Sequence, residues 1–303
     1  IKPAEDTPLT ALRVAKLASE AGVPDGVFNV VPGYGDVGEA LGRHNDVDAV
    51  SFTGSTEVGG LFMKYSGESN LKTIGLEMGG KSPFLVLEDA KINDTLIDNA
   101  INSAFWNGGQ NCSANMRQII HSKVKDEFLD KVLKRIKNIK VGDPLDAETN
   151  MGSMISKGHL AKVDGYIQKG IDEGASILHG GVSDSNQKGF FAKPTLFDNV
   201  KENMTIAQDE IFGPVLGVLT VNNTEEALKI AKNSKYGLHA SVFTQDINKA
   251  FHIAKNLPCG TISINTFSEG DIKTPFGGYK QSGSLSRDQG TEALNQYLQT
   301  KTI

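Results

Sequence analysis

Apolar and polar positions along this chain alternate between two patterns. Short continuous apolar runs such as "DAVSFTG" and "SPFLVLED" predict buried strands, and apolar residues spaced three and four apart predict helices. Ile92, Leu96, Ile97, Ala100, Ile101, Ala104 and Phe105 mark one helical face; Val124, Phe128, Leu129, Val132, Leu133 and Ile136 mark a second. Near the start, Thr7 and Pro8 predict an N-cap and a first-turn proline, and Gly22 predicts a helix stop. After it "GVFNVVPG" predicts a buried strand, "DVGEALGRH" a short helix, "STEVGGLFMKYSG" another helix, and "KTIGLEMGG" a strand closed by paired glycines. Strands and helices alternating at this spacing predict βαβ units, a parallel sheet and an α/β fold. The alternation extends through "ASVFTQD" to "GTISIN". The tail "EALNQYLQTKTI" reads as helix then strand, and a terminal strand can pair with another subunit's sheet edge.

Composition narrows the classes. With 303 residues, a net charge of −5 and 39% hydrophobic content, the chain has ordinary globular composition, enough for one large or two medium cores. Its acidic balance argues against non-specific nucleic-acid binding, which needs basic patches to neutralise phosphates. No apolar run approaches the roughly 20 residues of a membrane helix, so no membrane partner is expected. The opening "IKPAEDTPLTAL" has no initiator Met and reads as a strand end entering a helix, so the sequence is expected to begin inside a fold. Two cysteines are too few for a disulfide framework and point to a reducing, cytoplasmic setting. The six histidines are scattered without paired-ligand spacing, so no metal is expected.

Three features suggest chemistry. Cys112 lies in "NGGQNCSAN", among small and polar residues, where Gly108 and Gly109 let backbone approach a ligand. A reactive thiol needs an electropositive, partly open setting that favours thiolate. Spacing alone leaves a nucleophile and an idle loop thiol both open, whereas Cys259, at the start of an apolar strand, fits an inert thiol. Glu77 ends the apolar run "TIGLE". It is either a solvent-facing residue of an edge strand or a buried general base of raised pKa. The turn "FTGSTEVG" joins a strand to a helix, which sets Ser55 at a helix N-terminus that favours phosphate. Gly54 and Gly59 superficially frame a P-loop, but Gly60 and Leu61 follow where that loop has Lys and Ser or Thr. Capping alone also explains such a turn.

Together, "KPAEDTPLTA", "GVPDGVFNVVPG", "FTGSTEVG", "LEMGGKSP", "GQNCSA", "DEIFGPVL" and "PFGGYKQSG" resemble the NAD(P)-dependent aldehyde dehydrogenase superfamily, in the family's order and over essentially the whole chain. "FWNGGQNCSAN" and "NTFSEGDIKTPFGGYKQSG" look most like the branch acting on γ-glutamyl-γ-aminobutyraldehyde and related amino-aldehydes. The resemblance implies the aldehyde dehydrogenase fold. Residues 1–79 would be the C-terminal part of a Rossmann-like NAD-binding domain, 80–280 a catalytic domain, and 281–303 a return segment with an oligomerisation strand. It implies Cys112 as nucleophile and Glu77 as general base. Lys2 and Glu5 match residues that hold the adenosine ribose, Ser55 with Gly54 and Gly59 of the same turn matches the pyrophosphate contact, and Glu210 and Phe212 match residues positioning the nicotinamide riboside. Glu5 favours NAD, because a carboxylate repels a 2′-phosphate; use of NADP stays open. Trp106 matches an aromatic at the aldehyde entry, with core packing as the alternative. Glu269 and Asp271, in a loop that shapes substrate choice, could attract a cationic amino-aldehyde. A homodimer or homotetramer is implied.

The implied reaction proceeds through a thiohemiacetal and a thioester on Cys112, hydrolysed by water that Glu77 activates. Relatives that pass the acyl group to coenzyme A lack a base at this position, so Glu77 favours hydrolysis. The family's N-terminal portion, with the Asn that completes its oxyanion hole, precedes the "KPAE" segment and is not in this sequence. Two other classes stay in view: a non-catalytic remnant or structural subunit of the same fold, and a thiol hydrolase using Cys112 with a distant histidine.

Overall fold

Leu9–Glu20 forms the first helix (α1) of the computed structural model, which describes residues 1–184 and 187–303. Its start differs by one residue from the expectation: Pro8 occupies the cap position, no side chain caps the helix, and the Thr7 amide is spent on Ala4. Its end is as predicted. Gly22 has φ +87°, and the amides of Gly22 and Val23 reach back to Ser19 and Ala18, closing the last turn. The chain divides by its contacts into two units, Ile1–Gly75 and Leu76–Ile303.

The first unit continues with helix α2 (Gly35–Arg43), strand β1 (Ala49–Thr53), helix α3 (Thr56–Gly67) and strand β2 (Thr73–Glu77), whose last two residues belong to the second unit. β1 and β2 form a two-stranded sheet. The segment "GVFNVVPG" is not a strand, contrary to expectation, and most of it is exposed. Among the described residues the backbone of its extended part pairs with that of residue 1 alone, through the Val31 amide on the Ile1 carbonyl at 2.9 Å and the Ile1 amine on the Asn29 carbonyl at 2.6 Å. Two bonds to one residue give no ladder. Within this unit Phe62 packs tilted against Phe52 and edge-on against Tyr65, with ring centroids 4.8 and 5.9 Å apart. None of the residues of α1 is buried, and Leu9, Leu12, Val14 and Leu17 are exposed.

The second unit is built on a seven-stranded sheet. In chain order its elements are β3 (Pro83–Val86), α4 (Asp94–Phe105), β4 (Arg117–His121), α5 (Ser122–Ile136), α6 (Lys157–Asp172), β5 (Ser176–His179), β6 (Thr195–Asp198), α7 (Thr205–Gln208), β7 (Val215–Val221), α8 (Thr224–Lys232), β8 (Tyr236–Gly237), β9 (His239–Phe243), α9 (Ile247–Asn256), β10 (Thr261–Ile264), β11 (Tyr279–Lys280) and α10 (Glu292–Asn295). The strand order is β10-β9-β3-β4-β7-β6-β5, parallel throughout except for the antiparallel edge strand β5. β8 and β11 form a separate antiparallel pair.

Both faces of the sheet are covered, as a parallel sheet requires. On one, α4 and α5 bring Leu96, Ile97, Ala104, Phe128, Val132 and Ile136 against Phe84, Val86 and Ile120. Asn93 starts α4 by accepting the Leu96 amide at 3.0 Å, and the predicted apolar stripe from Leu96 to Phe105 is buried along its length. On the other face, Val163, Ile167, Leu228 and Ile253 from α6, α8 and α9 pack against Leu85, Ile119 and Val242. The tail is mostly irregular in this single chain. Only Glu292–Asn295 is helical, and residues 296–303 form no strand; a lone edge segment has no ladder partner among the described residues.

Candidate active site

The cysteine loop begins where α4 ends. Asn107, Gly108 and Gly109 take φ values of +52°, +64° and +70°, so three successive left-handed residues turn the chain back on itself. Gly109 is required for a second reason, since a Cβ there would lie 2.6 Å from the Gly213 carbonyl oxygen. Asn107 and Gln110 then brace the turn through mutual side-chain bonds of 3.0 and 3.1 Å. Asn111 uses both ends of its amide: Oδ1 accepts the Ser113 amide at 3.2 Å and Nδ2 donates to Glu269 Oε1 at 2.7 Å. Cys112, between them, is half-buried, with Ser113 Oγ 3.9 Å from its sulfur.

The electrostatics around Cys112 differ from the expected electropositive setting. Burial, opposed by the Ser113 contact and reinforced by Glu269, Glu210 and Glu77, pushes its thiol up to about 11. Cys259 is half-buried as well, and burial raises it to about 12, in keeping with an inert thiol.

Glu77 closes β2 and is buried, not solvent-facing. Neither carboxyl oxygen has a hydrogen-bond partner among the described residues. Burial, with a smaller push from Asp288 and an opposing pull from Arg287, raises its pKa to about 8. The "PFGGYKQSG" segment explains how this position is kept: the Met78 amide donates to Ser282 O at 2.8 Å, and a Cβ on Gly277 would lie 2.7 Å from Glu77 Oε1. The Gly79–Gly80 turn then brings two further groups close. A Cβ on Gly79 would collide with the Glu210 carboxyl, and one on Gly80 with the Cys112 carbonyl oxygen. Glu210 accepts the Gly80 amide at 2.9 Å, and its pKa is raised by burial.

Phe212, two residues on from Glu210, holds φ +57°, a costly conformation for an aromatic residue. His159 on α6 fixes it, donating from Nε2 to the Phe212 carbonyl at 2.5 Å with the rings edge-on. Trp106 is 66% exposed, which excludes core packing. Glu269 reaches the cysteine loop through Asn111. Asp271 does not: its carboxylate accepts the Lys273 amide at 2.9 Å in a local turn.

In the first unit, Lys2 donates to the carbonyls of Pro3 at 2.6 Å and Gly33 at 2.8 Å, and Glu5 is exposed. Ser55 is the N-cap of α3, accepting the Val58 amide at 3.2 Å, so its hydroxyl performs the capping role. A Cβ on Gly54 would strike the Phe52 ring, and Gly59 is buried within α3.

Sequence reasoning missed several buried polar groups. Lys81 has no partner for its ammonium among the described residues, and burial, with Arg117 adding to it, lowers its pKa to about 7. His239, Asn115 and Ser241 are fully buried yet hydrogen-bonded to one another. A cavity of about 610 Å³ lined by Val141, Pro144, Phe191 and Lys193 contains none of the candidate residues.

The aldehyde dehydrogenase family model matches residues 1–303. This chain belongs to the aldehyde dehydrogenase family. It is 44% identical to the aminoacetaldehyde dehydrogenase of Pseudomonas aeruginosa, over 100% of this chain and 61% of that protein. The aldehyde dehydrogenase fold is equally plain in solved structures. A γ-glutamyl-γ-aminobutyraldehyde dehydrogenase from Burkholderia cenocepacia is 44% identical, with a TM-score of 0.93 over 97% of this chain and 60% of that one. An NAD+ complex of a Bacillus cereus aldehyde dehydrogenase is 45% identical, with a TM-score of 0.94 over 98% of this chain and 60% of that one. Measured against these aldehyde dehydrogenases, the chain spans about 60% of their length.

Proposed function

We propose that this protein oxidises an aldehyde to the carboxylic acid with NAD, through a thioester on Cys112, and that the aldehyde carries an amine. One observation carries the reaction: a half-buried thiol lies within the field of a buried carboxyl, Glu77, that has no hydrogen-bond partner among the described residues. Relatives named for aminoacetaldehyde and γ-glutamyl-γ-aminobutyraldehyde support the substrate class. So does the bond that holds the Glu269 carboxylate against Asn111, next to the nucleophile.

The donor set of the first unit fits a dinucleotide. An ammonium has three donors, so Lys2 keeps one for a ribose hydroxyl after its two carbonyl bonds. The exposed Glu5 carboxylate accepts ribose hydroxyls and repels a 2′-phosphate, which favours NAD over NADP. The start of α3, with Gly54, Ser55 and Gly59, suits a pyrophosphate. In the second unit Glu210 and Phe212 would orient the nicotinamide riboside. When bound, NAD supplies a cationic ring that accepts the aldehyde hydrogen as hydride.

The remaining chemistry belongs to the chain. Cys112 sulfur bonds to the aldehyde carbon after its thiol proton passes to solvent water, and its own amide would donate to the oxyanion. After oxidation, Glu77 in its ionised form takes a proton from water. That water adds to the thioester carbon, the C–S bond breaks, and the carboxylate leaves with the thiolate restored. Trp106, exposed at the end of α4, is assigned to the aldehyde entry. We extend the proposal to a cytoplasmic homodimer or homotetramer; two unpaired cysteines support the reducing compartment.

The test compares kcat/KM for 4-aminobutanal and pentanal, which match in length. The wild type should prefer the amine, and Glu269→Gln should reduce that preference about tenfold. Equal values for the two aldehydes in the wild type would remove the substrate proposal. Acid production by Cys112→Ser would overturn the reaction.

A further inference from the structure

β9 places His239 and Ser241 on the same face as Phe243, inside the unit, where His239 is 0% exposed. Burial lowers the imidazole pKa to about 4, so the ring is neutral and offers one donor and one acceptor. Its partners decide which nitrogen does which. Nε2 lies 3.1 Å from the Ser268 carbonyl, which can only accept, and 3.2 Å from Ser263 Oγ, whose own proton goes to Ser268 O at 2.8 Å, so Nε2 carries the proton. Nδ1 is then the acceptor of a hydrogen bond from Asn115 Nδ2 at 3.4 Å. The rest of the network agrees with that tautomer. Asn115 uses its second N–H on the Pro83 carbonyl at 3.0 Å, and its Oδ1 accepts from Ser241 Oγ at 3.1 Å. Ser263 Oγ also donates to Ser268 O at 2.8 Å and accepts the Ser268 amide at 3.2 Å. Phe267 closes over the ring edge-on, with centroids 5.1 Å apart.

Asn115 is three residues from Cys112, and Ser268 immediately precedes Glu269. We infer that His239 is a positioning residue, which ties the loop bearing the nucleophile to the loop bearing Glu269 and so fixes the distance between thiol and substrate-binding carboxylate. The Asn111–Glu269 bond is the outer, exposed tie between the same two loops, and the His239 network is the inner one, buried from Asn115 to His239 and half-buried where it meets the Ser268 carbonyl. An exposed hydrogen bond is easily exchanged for water; a buried one is not, because breaking it strands a donor and an acceptor. The inner tie therefore sets the geometry and the outer tie follows it.

The kinetic part of this inference rests on the proposed roles of Cys112 and Glu269; the structural part does not. Three measurements on the full chain test it. First, ¹⁵N-histidine NMR of the wild type at neutral pH should show His239 with a protonated Nε2 and a bare Nδ1; the opposite tautomer, or an imidazolium, overturns the network. Second, amide hydrogen exchange at residues 268–271 should accelerate about tenfold or more in His239→Leu with α4 and β4 unchanged, while His239→Gln, which retains a donor, restores protection. Unchanged exchange in the Leu variant, or equal loss in both variants, would refute positioning. Third, His239→Leu should raise KM for 4-aminobutanal about five- to tenfold while kcat stays close to wild type. A fall in kcat alone counts against it. If the wild type oxidises no aldehyde, the functional proposal fails while the NMR and exchange results still judge the tie.

Discussion

Glu77 has both carboxyl oxygens buried and unbonded, and that has a thermodynamic sign. Its pKa rises from an ordinary 4.5 to about 8 on folding, so between those values the native state holds a proton that the unfolded chain has lost. Stability is therefore penalised increasingly as pH climbs from 4.5, and the penalty is complete above about 8. Glu77→Gln carries no such penalty. Its unfolding free energy from urea titration should match the wild type at about pH 4.5 and exceed it above pH 8 by something on the order of 3 kcal/mol. Turnover runs the other way: where thioester hydrolysis limits the wild type, the rate should rise as pH approaches about 8 and the base ionises, and the Gln variant should lose that rise. The residue was legible in the sequence because a carboxylate inside an apolar run is anomalous by itself. Lys81 and His239 were not, since what makes them unusual is their surroundings. His239 meets Asn115 from 124 residues away and Ser268 from 29, and no local pattern encodes either meeting.

At the scale of elements, periodicity served where burial is one-sided and continuous. The stripes of α4 and α5 and the apolar runs of β3 and β9 emerged as expected because each packs along its whole length. It failed at "GVFNVVPG", where apolar residues are present but no neighbouring strand completes a ladder. Ser55 shows the opposite ambiguity, a polar residue whose observed bond is a cap whatever else it binds. The turn after α4 gives a sharp test of backbone demand. Gly109→Ala faces both a left-handed φ of +70° and the Gly213 carbonyl 2.6 Å away. We expect it to destabilise the protein by roughly 2–4 kcal/mol by denaturant unfolding and to change the alkylation rate of Cys112. Gly60→Ala, where a Cβ meets nothing, should be close to neutral.

For the whole molecule, the α/β class and its parallel sheet could be read from the chain, but the strand order β10-β9-β3-β4-β7-β6-β5 could not. Order depends on which crossover returns beside which strand, and that is a long-range choice. The family motifs supplied what periodicity lacks, because "LEMGGKSP", "GQNCSA", "DEIFGPVL" and "PFGGYKQSG" turn out to be the pieces that crowd around Gly79, Gly80 and Gly277. The uncovered side of α1 bears on how the protein behaves in a tube. Leu9, Leu12 and Leu17 stand 77%, 41% and 44% exposed on one helix, a greasy surface that water tolerates poorly. For these 303 residues by themselves, sedimentation should show concentration-dependent self-association that sulfate strengthens, and Leu12→Ser with Leu17→Ser should abolish it. The helix would then act as a plug looking for a socket, and handling conditions that keep it dilute or masked will decide how much of the material stays in solution.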